Sequence, residues 1–96
     1  MGQKEIFQIL RDYKLRFKGQ YDIQALGVFG SVARNEAQPG SDIDVIIRLG
    51  KPELFLLAGI KNDLEAQLHS PVDLVTYRDS MNPLLKERID HEAVYV

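Results

Sequence analysis

Asp42 and Asp44 stand two positions apart in the run Ser41-Asp42-Ile43-Asp44-Val45-Ile46-Ile47. Ile43, Val45 and Ile47 alternate with them, a period of two that predicts a strand over residues 42–49. Alternate side chains on a strand share a face, so both carboxylates point one way and the apolar residues point into a core. Asp73 repeats the pattern in Pro71-Val72-Asp73-Leu74-Val75. If the two strands are neighbours, three carboxylates converge. Like charges about 4 Å apart repel by about 4 kcal/mol at an effective dielectric of 20. Such a gathering calls for a cation or a proton. Oxygen-only ligands suit Mg²⁺, which prefers octahedral geometry and shares itself with substrate phosphates. Any one of these aspartates alone reads as a solvated strand edge. The pair, placed after the turn described next, points to chemistry.

Gly30-Ser31 follows the apolar run Ala25 to Phe29 and opens a short helical stretch through Ala33, Arg34 and Glu36. Glycine lets backbone approach a ligand closely. The Ser31 hydroxyl and the free N–H groups of a helix start can hold an anion, helped by the helix dipole. By itself Gly-Ser reads as a serine-capped turn. The acid pair one turn later changes that. A triphosphate held at Ser31 would have its metals held at Asp42 and Asp44. Arg34 could reach a phosphate, or it could make a structural ion pair.

The elements that must position these residues are legible in outline. Ile6, Ile9, Leu10, Tyr13 and Phe17 recur at helical spacing, with Gly19 as the expected stop. Gln38-Pro39-Gly40-Ser41 is turn chemistry. Residues 53–68 read as a helix with Leu57, Ile60, Leu64 and Leu68 on one face, and residues 72–77 as a strand entered through Pro71. Asn82-Pro83 starts a last helix, with Leu84, Leu85 and Ile89 expected to dock it. Val94-Tyr95-Val96 adds a short final strand. The order α-β-α-β-α-β-α, then β, predicts an α/β (α+β) fold: a small mixed sheet flanked by helices. The strand order stays open at this stage.

In combination these residues resemble a known family. Gly30-Ser31-Val32-Ala33-Arg34 followed by Ser41-Asp42-Ile43-Asp44 is similar to the Gly-Ser…Asp-x-Asp signature of the DNA polymerase beta-type nucleotidyltransferases. The match is closest to the MNT-domain minimal members, and it extends to the Asp73 strand and to the segment Asn82-Pro83-Leu84…Glu87-Arg88-Ile89…Glu92-Ala93. The resemblance implies the polymerase beta-like fold and a Mg²⁺-dependent enzyme. Asp42, Asp44 and Asp73 would bind two metal ions, Asp73 would take the proton of the attacking hydroxyl, and Gly30 and Ser31 would contact the β/γ-phosphates. It further implies AMP transfer from ATP to a tyrosine of a HEPN-domain RNase toxin, which makes the chain an antitoxin. Two alternatives stand beside this: an antitoxin acting by binding alone, and a transferase acting on a small molecule or an RNA end. The family usually carries glycine after Ala-Arg. Here Asn35 stands there, and asparagine tolerates the left-handed conformation.

Composition bounds the partners. The chain has 96 residues, 45% of them hydrophobic and 27% charged, which suits one domain over residues 1–96. Its net charge of −2 lacks the basic excess of a nucleic-acid binder, so no DNA is expected and nucleotide recognition must be local. No cysteine is present, which excludes disulfides and thiolate metal sites. No apolar run reaches the roughly 20 residues of a membrane span, and no signal-peptide core or myristoylation pattern opens the chain. The expectation is a cytoplasmic protein without a membrane partner, in a homo- or hetero-oligomer. A protein acceptor suits a chain with no room for a tRNA- or template-binding domain. The apolar positions of the last helix and the residues 94–96 are the expected contact surface. Arg48 and Arg78 read as solvated charge. His69 and His91 lack partners at metal-ligand spacing. Tyr77 and Tyr95 read as core or partner contacts before base-stacking groups.

Overall fold

Ile6, Leu10 and Tyr13 are buried along one stripe of helix α1 (Gln3–Tyr21) in the computed structural model, which describes residues 1–96. The helix passes Gly19, the expected stop, because an aromatic ladder at i,i+4 spacing continues through it. Tyr13 and Phe17 lie 4.7 Å apart between ring centroids, and Phe17 stacks on Tyr21 at 4.8 Å. The left-handed residue that ends the helix is Asp22, with φ of 50°.

Strand β1 (Ile23–Phe29) follows, starting two residues earlier than its apolar run suggests. One turn of helix, α2 (Gly30–Ala33), leads to strand β2 (Ile43–Leu49). Helix α3 (Leu54–Leu68) crosses to strand β3 (Val72–Thr76), and helix α4 (Pro83–Glu92) precedes the two-residue strand β4 (Val94–Tyr95). Asn82 caps α4 through its side chain, which accepts from the Leu84 and Leu85 N–H groups, and Pro83 opens it.

The four strands lie in the order β3-β2-β1-β4. β1 is antiparallel to β2 and to β4, while β2 and β3 are parallel, joined by α3 as a parallel pair requires. The sheet is therefore mixed, as expected. Its two faces are covered unequally. Ile43, Val45 and Ile47 of β2 join Leu26 and Val28 of β1, Leu10 of α1 and Ile60 and Leu64 of α3 in the main core. On the other face Phe29 and Ile46 meet Ile89 of α4, with Leu85, Val75 and Tyr77 around them. Leu84 does not dock: it is 77% exposed, one position off the stripe that Leu85 and Ile89 form. No helix is long and apolar enough to cross a membrane.

Candidate active site

Period-two alternation sends Asp44 to the face of the sheet that carries α4, because Ile43 and Val45 occupy the main core. Across the parallel pair Asp44 stands opposite Asp73, and across the antiparallel pair it stands opposite Phe29. The condition left open by the sequence is met: β2 and β3 are neighbours, and two of the acids share one cross-strand row. Asp42 lies just outside β2 and not on it. The ladder begins at Ile43, whose N–H donates to Pro71 at 2.9 Å and whose strand partner is Val72. Asp42 and Asp73 are exposed and Asp44 is half-buried.

These charges feel one another. The Asp44 carboxyl is raised above its ordinary value, first by burial, then by the charge of Asp73, with Asp42 and Glu92 adding to the effect and Arg88 opposing it. No three acids stand close enough to enclose one ion between them. Mg²⁺ does not require that, since one or two carboxylates plus phosphates and waters complete its octahedron. The all-oxygen donor set and the excess of negative charge around Asp44, which Arg88 offsets only in part, fit such an ion.

Gly30 approaches Asp44 directly. It has φ of +69°, and a Cβ at this position would collide with Asp44 Oδ2. The glycine of the Gly-Ser pair is thus needed for a turn pressed against an acid of the row. Asn35 takes the left-handed conformation at φ of 57°, so the replacement of the family's glycine keeps the turn.

Two details depart from expectation. α2 is one turn long, so a helix dipole adds little at Ser31. The Gly30 N–H is already taken: it donates to Glu92 Oε1 at 2.7 Å. Arg34 is also engaged, through Nε with Glu36 at 3.2 Å and through Nη1 with Glu92 at 3.1 Å, and its side chain is 42% exposed. Glu92 and Arg88, which pairs with it at 3.1 Å, entered the sequence reading only as part of the family-like closing segment, with no role given to either. Their i,i+4 spacing on a helix was a readable signal, whereas the reach of 62 positions from Glu92 back to Gly30 was not.

The remaining candidates sit away from the row. Arg48 lies 5.5 Å over the Tyr77 ring. The Tyr77 hydroxyl donates to Asp90 at 2.8 Å, which gives it the structural role expected. His69 ends α3 in a left-handed conformation and His91 is exposed on α4.

A sheet row of acids behind a Gly-Ser turn is a candidate centre for nucleotidyl transfer, and comparison with known proteins gives the family. The profile of the nucleotidyltransferase domain matches residues 6–96, and the chain belongs to that family of enzymes. MJ0126 of Methanocaldococcus jannaschii, which carries a provisional protein adenylyltransferase name, is 38% identical over 93 residues, covering 96% of this chain and 95% of that protein. The protein adenylyltransferase MntA of Thermococcus cleftensis is 33% identical, covering 97% of this chain and 94% of that protein. A solved structure provisionally described as a minimal nucleotidyltransferase superposes with a TM-score of 0.79 at 32% identity, over 98% of this chain and 95% of the other. The fold also matches a chain in the complex of tri-AMPylated Shewanella oneidensis HEPN toxin with MNT antitoxin, at a TM-score of 0.62 and 22% identity, over 97% of this chain and 66% of that one.

Proposed function

We propose that this chain is a Mg²⁺-dependent protein adenylyltransferase that moves AMP from ATP onto a hydroxyl, a tyrosine, of a HEPN-domain RNase toxin and so neutralises it. The observation that carries the reading is the row formed by Asp44 and Asp73 on adjacent strands, with Gly30 packed against the Asp44 carboxyl. The names of the similar proteins support AMP transfer to protein, and the HEPN–MNT complex supports the partner class.

On this reading Asp42, Asp44 and Asp73 would hold two Mg²⁺ ions between them, and Ser31 would donate to the β/γ-phosphates. Bound there, Mg²⁺ offsets the triphosphate charge and polarises the phosphoryl oxygens. Asp73, exposed at the start of β3, accepts the proton of the incoming hydroxyl. The hydroxyl oxygen bonds to the α-phosphorus in line, the bond to the bridging oxygen breaks, and pyrophosphate leaves with that electron pair. The protein's part is position and charge, as in phosphoryl transfer generally.

The test is incubation of the purified chain with α-labelled ATP, Mg²⁺ and the product of the adjacent gene. Label should appear on a tyrosine of that partner, and Asp42→Asn or Asp44→Asn should reduce it to background while leaving the circular dichroism spectrum unchanged. An unlabelled partner that is nonetheless neutralised by Asp44→Asn would replace transfer with simple occlusion. Label on RNA or a small molecule instead would change the acceptor class.

A further inference from the structure

The last helix of the chain brings one carboxylate back to the turn built by the first half. Glu92 ends α4, and its Oε1 accepts both the Gly30 N–H at 2.7 Å and Arg88 Nε at 3.1 Å. Its Oε2 accepts Arg34 Nη1 at 3.1 Å. One side chain, 21% exposed, therefore joins the Gly-Ser turn, the arginine that follows the turn, and α4. The Arg88 guanidinium lies 5.8 Å over the ring of Phe29, which is the cross-strand partner of Asp44. Gly30 itself rests against the Asp44 carboxyl. Any shift of Glu92 is thus passed to Asp44 through a single residue.

We infer that Glu92 is a positioning residue of the transferase site: it clamps the Gly30-Ser31 turn to α4 and ties Arg34 and Arg88 to that turn. The inference rests on the reading of that turn as the phosphate contact. Glu92 closes the Gly30 amide, so the turn offers the nucleotide the Ser31 hydroxyl and the N–H groups beyond it. The distance from those donors to the acid row is what the clamp sets. Misplacement by about 1 Å at such a site costs about 100-fold in rate. A carboxylate suits this post because it accepts from one amide and two guanidinium groups at once, with short charge-assisted bonds. Burial alone would push the Glu92 carboxyl up, but the Gly30 N–H, Arg88 and Arg34 together hold it below the ordinary carboxylate range.

Three variants test the clamp: Glu92→Ala, Glu92→Gln, and Glu36→Ala, which removes only the exposed partner of Arg34. Each is followed by transfer kinetics, by Mg–ATP titration of amide resonances, and by hydrogen exchange at the Gly30 amide. Glu92→Ala should raise KM for ATP about tenfold, lower kcat by about 10–100-fold and speed exchange at Gly30. Glu92→Gln keeps an acceptor for the Gly30 N–H and should recover much of kcat, and Glu36→Ala should match the unsubstituted protein. A folded Glu92→Ala with unchanged kcat, KM and Gly30 exchange overturns the inference. Should Glu92→Ala not fold, Glu92→Gln decides: raised KM with kcat largely kept, in a protein that still unfolds cooperatively, supports the clamp, and unaltered KM and Gly30 exchange overturn it. If the unsubstituted protein shows no Mg–ATP shifts near Ser31, the transferase reading fails, and the Gly30 exchange rate in Glu92→Ala still judges the clamp separately.

Discussion

Asp44 is held where its charge is least welcome. Burial raises its carboxyl first and Asp73 raises it further, so ionising it costs more in the folded protein than in the unfolded chain. The sign of the pH dependence follows. A carboxyl raised by folding supports the native state at acid pH and loses that support as pH rises through its folded value. In EDTA at neutral pH, Asp44→Asn should therefore melt higher than the unsubstituted protein by about 2–4 °C, and the gap should close near pH 3. Scanning calorimetry at the two pH values checks this. Sites that carry function commonly cost stability in this way. Glu92 runs the opposite direction: its lowered carboxyl stabilises above the ordinary glutamate range and stops doing so as pH falls through the folded value. Far from the acids, the Tyr13 hydroxyl donates to Asp63 at 2.9 Å and ties α1 to α3. Tyr13→Phe should cost about 1 kcal/mol, or about 4–8 °C in Tm, with transfer kinetics unchanged.

Among the elements, β4 is the most vulnerable. It is two residues long and crosses β1 over Gly27, where a Cβ would meet the Val94 carbonyl and the backbone of Tyr95. Gly27→Ala should displace the end of the chain and destabilise the fold by about 1–3 kcal/mol, measured by urea unfolding, with accelerated exchange at the Val96 amide, which donates to Leu26. Gly30→Ala should be worse for activity than for stability, because its Cβ meets an acid of the site and not the core. That outcome is read as a lost transfer rate in a protein that still unfolds cooperatively. The order of elements was legible in the sequence because each helix and strand keeps its own apolar period, and the Asn82-Pro83 start was legible because capping chemistry is local. Gly19 misled because aromatic i,i+4 packing outweighed about 1 kcal/mol of glycine cost. Leu84 misled because composition does not say which apolar residue of a helix faces the sheet.

At the scale of the molecule, α1 and α3, with Val32 of the short α2, cover one face of the sheet and α4 alone covers the other. The thinner cover leaves the row of Asp44 and Asp73 reachable from outside, with Asp73 exposed. Acid spacing and the Gly-Ser turn were readable before any coordinates because both are short-range patterns. Which strands pair, and the return of Glu92 to Gly30, depend on chain path and were not. A net charge of −2 with an acidic site argues that a negatively charged nucleotide enters as its Mg²⁺ complex, and transfer should vanish in EDTA and return with added Mg²⁺ in the α-labelled ATP assay. The central claim is that this corner of the sheet carries the metal–nucleotide complex. A crystal structure grown with Mg²⁺ and a non-hydrolysable ATP analogue tests it most directly. The account predicts cations about 2.0–2.1 Å from oxygens of Asp42, Asp44 and Asp73, with the α-phosphate beside Asp73 and the outer phosphates at Ser31. An analogue seated elsewhere, or cations that leave these aspartates untouched, would contradict it.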